Sequence, residues 1–333
     1  MQSIGIIGGG AWGTALGLVA LRAGRDPLLW AREAEVVAAI NDRRENALFL
    51  PGIALDPHLG ASGELPEAAA RDLLLLALPA QHLRTGAGAL VPHLKPGTPV
   101  LICAKGIEER TGALLSEVVA EVLPRSPVAV LSGPTFATEV AAGHPTAITL
   151  AAADAKLGQR LVQTLGSRAF RPYHTDDVAG AQIGGAIKNV IAIACGIVVG
   201  RKLGDNARAA LITRGLAEMA RLAHAKGGRA ETLMGLSGLG DLTLTCTSLQ
   251  SRNHSLGVAL GEGRRLADIL AARRSVAEGV TSAAAAAGLA QRLGIEMPIV
   301  AAVDAILHRG AAIDEAIEAL LSRPFRSETR AAS

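Results

Sequence analysis

A strand that breaks at once into a glycine turn, at the very start of a 333-residue chain, constrains this fold more than any other feature. Ser3–Ile7 is a short apolar run, residues 11–23 have a helical pattern, and Gly8-Gly9-Gly10 lies between them with Gly13 one turn in. Gly8-x-Gly10-x-x-Gly13 at a strand-to-helix junction gives each glycine a separate task. Gly8 makes the tight turn, Gly10 lets a pyrophosphate approach the backbone, and Gly13 lets helix and strand pack closely. The helix opening at Ala11 and Trp12 offers unpaired N–H groups and a positive dipole end to the anion. A strand–turn–helix at this place predicts a dinucleotide site on a parallel sheet.

The rest of the first half agrees. Apolar runs at residues 27–30, 73–78, 100–104, 128–131 and 147–151 alternate with helical segments, including one at 33–41. Continuous rather than alternating apolar runs mark strands buried on both faces. The order strand, helix, strand predicts an α/β fold with an N-terminal doubly wound sheet of the Rossmann type. From Asp176 onward the pattern is helical and rich in Ala, Leu and Arg, which predicts a C-terminal all-helical domain. The reading is therefore a dinucleotide-binding domain over residues 1–174 and a helical substrate and catalytic domain over 175–333.

Charge and cysteine usage exclude several classes. A net charge of +3 without a basic block argues against a nucleic-acid partner and suits a small anionic substrate. Three widely spaced cysteines, Cys103, Cys195 and Cys246, form no disulfide framework and no metal-ligand spacing. A reducing, cytoplasmic setting and a metal-free site follow as expectations. The apolar stretch at 183–200 carries Lys188 and Asn189 inside it, which argues against a membrane span.

The end of the second strand should carry the group that reads the adenosine ribose. It runs Leu29-Trp30-Ala31-Arg32-Glu33. A carboxylate there would bind the 2′-hydroxyl, whereas the Arg32 guanidinium would pair a 2′-phosphate. NADP(H) is favoured over NAD(H) on this ground, with Glu33 as the opposing reading.

Lysine occurs only at 95, 105, 156, 188, 202 and 226, so a lysine among apolar neighbours stands out. Lys105 follows the buried-looking run at 100–104, where strand ends face a ligand crevice. Lys188 sits in Ile183-Gly184-Gly185-Ala186-Ile187-Lys188-Asn189, and its helical neighbours are small or apolar. The two glycines are expected to leave room for a ligand beside the ammonium. Burial would lower its pKa toward a value useful for proton transfer. The bland alternative is a lysine snorkelling along an apolar face. Further on, Asp241 lies between apolar residues, and Ser251-Arg252-Asn253 groups a hydroxyl, a guanidinium and an amide, as a phosphate site would. A capped surface loop explains those three residues equally well.

Taken together these segments resemble the bacterial NAD(P)-dependent sn-glycerol-3-phosphate dehydrogenases, nearly end to end. The resemblance is carried by Gly8-Gly9-Gly10-Ala11-Trp12-Gly13-Thr14, Ala104-Lys105-Gly106-Ile107-Glu108, Leu131-Ser132-Gly133-Pro134-Thr135-Phe136-Ala137 and Lys188-Asn189-Val190-Ile191-Ala192. Gly204-Asp205-Asn206-Ala207, Ile212-Thr213-Arg214-Gly215, Gly238-Leu239-Gly240-Asp241-Leu242, Ser251-Arg252-Asn253 and Val276-Ala277-Glu278-Gly279 extend it. It implies reversible reduction of dihydroxyacetone phosphate to sn-glycerol 3-phosphate, supplying phospholipid synthesis, with Lys188 as catalytic proton donor and acceptor. It further implies that Lys105, Gly133, Thr135, Lys188, Asp241, Ser251, Arg252 and Asn253 line the triose-phosphate site. Besides the glycine turn, Trp12, Arg32, Phe49, Lys105, Ala137, Arg252, Val276 and Glu278 would touch the cofactor. Phe49 stands where this family commonly has tyrosine, so it offers a ring without a hydroxyl. Two other readings remain at this point: a β-hydroxyacid or 6-phosphogluconate-type dehydrogenase, and a non-catalytic dinucleotide sensor. A homodimer is the default assembly.

Overall fold

The computed structural model describes residues 1–272 and 277–325. Ten strands follow in chain order: β1 Ser3–Ile7, β2 Asp26–Trp30, β3 Glu45–Asn46, β4 Leu50–Ala54, β5 Gly60–Ser62, β6 Leu73–Leu76, β7 Val100–Ile102, β8 Val128–Ser132, β9 Thr146–Ala151 and β10 Phe170–Thr175. Eight of them form one sheet in the order β10-β9-β8-β7-β6-β1-β2-β5. The order reverses at β1, which pairs in parallel with β2 on one side and β6 on the other. In such a sheet the crevice at the reversal opens at the carboxyl ends of the strands, where the glycine turn sits.

The strands expected from apolar runs are present, ending slightly earlier at Leu76 and Ile102 than the runs themselves. β6 reads Leu-Leu-Leu-Leu and is buried along its whole length, as a central parallel strand must be. The two edges of the sheet lack such runs. β10 reads Phe-Arg-Pro-Tyr-His-Thr with alternating burial, and Pro172 is tolerated because an edge strand has one unpaired side. β5, Gly-Ala-Ser, closes the other edge. β9 runs antiparallel to β8, so the last two strands reverse the direction of the rest.

After Thr175 the described chain is helical. Its centre is the helix Val178–Gly200, buried on nearly every face. It is long and apolar enough to cross a membrane, but 89% of its most apolar window is covered by protein. The helices Asp205–Ala225, Asp241–Thr247, Arg252–Gly261, Glu278–Arg292 and Pro298–His308 pack around it. The Ala-rich segment of Glu278–Arg292 is one of these packed helices, since Ala283, Ala285, Ala286 and Ala290 are all buried. With few aromatics in the chain, small side chains let these helices approach closely.

Candidate active site

The glycine turn has the geometry its residues imply. Gly8 has φ +124°, and a Cβ there would lie 2.6 Å from the Ala77 carbonyl oxygen. A Cβ on Gly13 would lie 1.9 Å from the Gly8 carbonyl oxygen, so helix and strand touch through backbone alone. Gly10, by contrast, would meet nothing within 4 Å. Its side faces open space at the N-terminus of the helix Ala11–Arg22. The Trp12 indole N–H is buried and has no hydrogen-bond partner among the described residues. An open backbone approach at a helix N-terminus fits an anionic group such as a dinucleotide pyrophosphate.

Arg32 follows β2 and is 84% exposed at its side chain, where it pairs with Glu33 at 3.0 Å. Phe49 and Ala137 are partly buried against the core of the sheet, in the same cluster as Trp12. Ala137 opens the helix Ala137–Ala142. Val276 lies outside the described residues.

Three charged groups meet along the carboxyl edge of the sheet. Lys105 stands three residues beyond β7, and its ammonium donates to the Gly133 carbonyl (2.8 Å) and to Asp241 Oδ2 (2.7 Å). Lys188, on the central helix, donates to Asp241 Oδ1 (2.5 Å) and to Thr245 Oγ1 (3.0 Å). Asp241 is fully buried at 0% exposure and bridges both ammoniums. A π-helical turn, Leu236–Gly240, delivers it to the first turn of Asp241–Thr247. Four residues on, the Thr245 hydroxyl donates to the Asp241 carbonyl at 2.6 Å, which fixes its lone pairs toward Lys188.

Burial pulls the Lys188 ammonium down from lysine's ordinary 10.5 to about 8. Asp241 opposes that fall, and the neighbouring Lys105 adds to it. An ammonium that titrates near neutrality can both give and take a proton at working pH.

The glycines beside Lys188 do something other than leave space. A Cβ on Gly184 would lie 2.2 Å from the Ser237 carbonyl oxygen, and one on Gly185 2.6 Å from Ser132 Oγ and 3.3 Å from Lys105 Cγ. The room expected for a ligand is filled by the polypeptide. Their small size lets the segments bearing Asp241 and Lys105 close onto the helix bearing Lys188.

The remaining candidates surround this cluster. Gly133 lies at the end of β8, and Thr135 Oγ1 donates back to its carbonyl at 3.2 Å. Ser251 caps the helix Arg252–Gly261, accepting from the His254 N–H at 3.1 Å. Asn253 donates to Asn189 Oδ1 and accepts from the Gly279 N–H, both at 2.9 Å. Glu278, at the start of Glu278–Arg292, accepts from the Ala80 N–H. Burial raises its carboxyl above the ordinary range, opposed by Arg252, Lys105 and Lys188, which places it beside the same cluster. Among the described residues there is no group of three or more His, Cys, Asp or Glu able to hold a metal.

A glycine-turn sheet joined to a helical half through a buried lysine–carboxylate cluster defines a nicotinamide-dependent oxidoreductase. Family models for the N-terminus and the C-terminus of NAD-dependent glycerol-3-phosphate dehydrogenase match residues 3–158 and 177–318. The chain belongs to the NAD-dependent glycerol-3-phosphate dehydrogenase family. It is 57% identical over 328 residues, 98% of each chain, to "Glycerol-3-phosphate dehydrogenase [NAD(P)+]" of Parvibaculum lavamentivorans. It is 59% identical to the protein of that name in Rhodospirillum rubrum, covering 98% of this chain and 94% of the relative. The crystal structure of glycerol-3-phosphate dehydrogenase from Coxiella burnetii superposes with a TM-score of 0.93 at 41% identity, covering 97% of this chain and 99% of that one. Of the readings the sequence left open, family membership favours this one over a 6-phosphogluconate-type dehydrogenase and over a sensor.

Proposed function

We propose that this protein reversibly reduces dihydroxyacetone phosphate to sn-glycerol 3-phosphate with NADP(H) or NAD(H), and thereby feeds phospholipid synthesis from the cytoplasm. The observation that supports the reading most is the buried Lys188–Asp241–Lys105 bridge at the sheet's carboxyl edge. Residues 1–174 would bind the dinucleotide and residues 175–333 would supply the catalytic groups.

When bound, the dinucleotide supplies the hydride to C2 of the ketone. Gly8, Gly10, Gly13 and the N–H groups at Ala11 and Trp12 would hold its pyrophosphate, with Phe49, Ala137 and Glu278 along its length. Lys188, as the ammonium, stabilises the developing alkoxide and gives it a proton; in the reverse direction the neutral amine accepts the hydroxyl proton. Asp241 holds Lys188 charged and in place, and Thr245 fixes Asp241. Lys105, with the Gly133 backbone and Thr135, lines the carbonyl end. Ser251, Arg252 and Asn253 would take the phosphate, and that remote anchoring helps orient the reacting carbon. Mixing the protein with dihydroxyacetone phosphate and NADPH or NADH should give substrate-dependent loss of absorbance of the reduced nicotinamide. Absence of that loss with both dinucleotides removes the proposal.

NADP(H) is the favoured cofactor because the exposed Arg32 guanidinium, directly after β2, would pair a 2′-phosphate. Arg32→Ala is expected to raise KM for NADPH about tenfold to a hundredfold while changing KM for NADH little. Equal effects on both would assign the ribose to Glu33 instead. The assembly we propose is a homodimer. An open apolar groove of about 1530 Å³, lined by Leu211, Ile306, Leu320, Leu321 and Phe325, offers a face for a second copy. Light scattering at micromolar concentration should return twice the mass of one chain, and a single-chain mass would refute the dimer.

A further inference from the structure

The glycine turn is not free to choose its own shape. Asn46, in the two-residue strand β3, is buried at 0% exposure and reaches back 37 residues to it. Its Nδ2 donates to the Gly9 carbonyl and to Thr14 Oγ1, both at 2.8 Å. The Thr14 hydroxyl in turn donates to the Gly10 carbonyl at 3.0 Å. On its other side, Asn46 Oδ1 accepts from the Phe49 N–H at 3.2 Å. One amide therefore spends both donors and its acceptor on three points: the turn, the first turn of its helix, and the segment carrying Phe49.

The consequence follows from peptide geometry. In a trans peptide the N–H points opposite the preceding carbonyl. With the Gly9 carbonyl held toward Asn46, the Gly10 N–H is turned the other way. The Gly10 carbonyl accepts both the Thr14 backbone N–H and the Thr14 hydroxyl, each at 3.0 Å, so the Ala11 N–H is turned outward from the helix start. The two donors beside the open face of Gly10 are thus aimed before any ligand arrives, and a pre-aimed site avoids the cost of ordering on binding.

We infer that Asn46, acting through Thr14, is a positioning residue that sets the glycine turn for the dinucleotide pyrophosphate. The inference rests on the dinucleotide reading given above. Asn46→Asp keeps size but replaces both donors with a carboxylate, which loses the Gly9 bond and adds negative charge near the anion site. Thr14→Val removes the hydroxyl without changing shape, and Thr14→Ser restores it.

Binding of NADH and NADPH is measured on each purified full-length protein by intrinsic fluorescence quenching and by calorimetry, with thermal melting alongside. Asn46→Asp is expected to raise Kd for both dinucleotides about tenfold to a hundredfold, and Thr14→Val about threefold to tenfold. Thr14→Ser should bind like the parent. At saturating cofactor, kcat should stay within about twofold of the parent in both weakened variants, because the chemistry at Lys188 is untouched. A folded Asn46→Asp protein with parental Kd overturns the inference. If that variant does not fold, parental Kd in Thr14→Val overturns it by itself. Failure of the parent protein to bind either dinucleotide would be a different result, removing the cofactor reading and this inference with it.

Discussion

Lys188→Ala is expected to lower kcat for ketone reduction by about 10⁴-fold or more, with dinucleotide Kd unchanged. The size follows from two losses at once. The ammonium is the buried group proposed to donate the proton, and its charge is held by Asp241 at 2.5 Å where water does not screen it. Nothing beside it is poised to substitute. Lys105 is committed to Asp241 and to the Gly133 carbonyl, and Thr245 is a hydroxyl already donating to the Asp241 backbone. Lys188→Arg separates charge from proton transfer. Its guanidinium keeps the positive charge but holds its proton and needs a wider, planar socket, so it is expected to recover little turnover. The cofactor contacts proposed on the sheet do not involve Lys188, which is why binding of NADPH should persist. Turnover within tenfold of the parent in Lys188→Ala would reassign the proton donor.

The sheet was legible where burial is complete and obscure where it is not. β1, β6 and β7 are buried over nearly their whole length, so their sequences are near-continuous apolar runs, as central parallel strands require. β10 and β5 lie at the edges, where one side meets solvent and the pairing demand is halved. Arg171, Tyr173 and Pro172 in β10, or Gly-Ala-Ser in β5, carry no periodic signal strong enough to find.

The site shows the same division between local and distant information. Lys105, Lys188 and Asp241 each stood out as a charge among apolar neighbours. That they share one carboxylate is a fact about residues 136 and 53 positions apart, and no local pattern encodes it. In the sequence Gly184 and Gly185 look like space for a ligand, because a missing side chain looks like a gap. In the folded chain the gap is where Ser237 and Lys105 come in. Asn46 and Thr245 gave no signal of their own. An asparagine before a turn and a threonine on a short helix are ordinary, and only their partners give them a role. A threonine one helical turn after a buried acid was the nearest available hint.

Asp241→Asn is expected to cut ketone reduction at pH 7 by about 10²–10³-fold and to shift its pH profile toward acid. In the parent protein, Lys188 titrates near 8, so reduction, which needs the ammonium, should fall as pH rises through that value. Oxidation of glycerol 3-phosphate, which needs the free amine, should rise through it. Asp241 is the group that opposes the lowering by burial, so an uncharged amide leaves burial and Lys105 to win. The ammonium is then lost at a lower pH, and the reduction limb should move by at least about one unit. The stability consequence has a definite sign. Lys188 has a lower pKa folded than its ordinary 10.5, so between about 8 and 10.5 the unfolded chain holds the extra proton and stability rises with pH. In Asp241→Asn that rise should begin at lower pH. At neutral pH the variant should also be less stable by about 3 kcal/mol, because two buried cations lose their shared anion. Urea unfolding across pH 6–10, run beside the pH–rate profile, reads both effects on one protein. An Asp241→Asn profile superimposable on the parent's would show that the carboxylate does not set the state of Lys188.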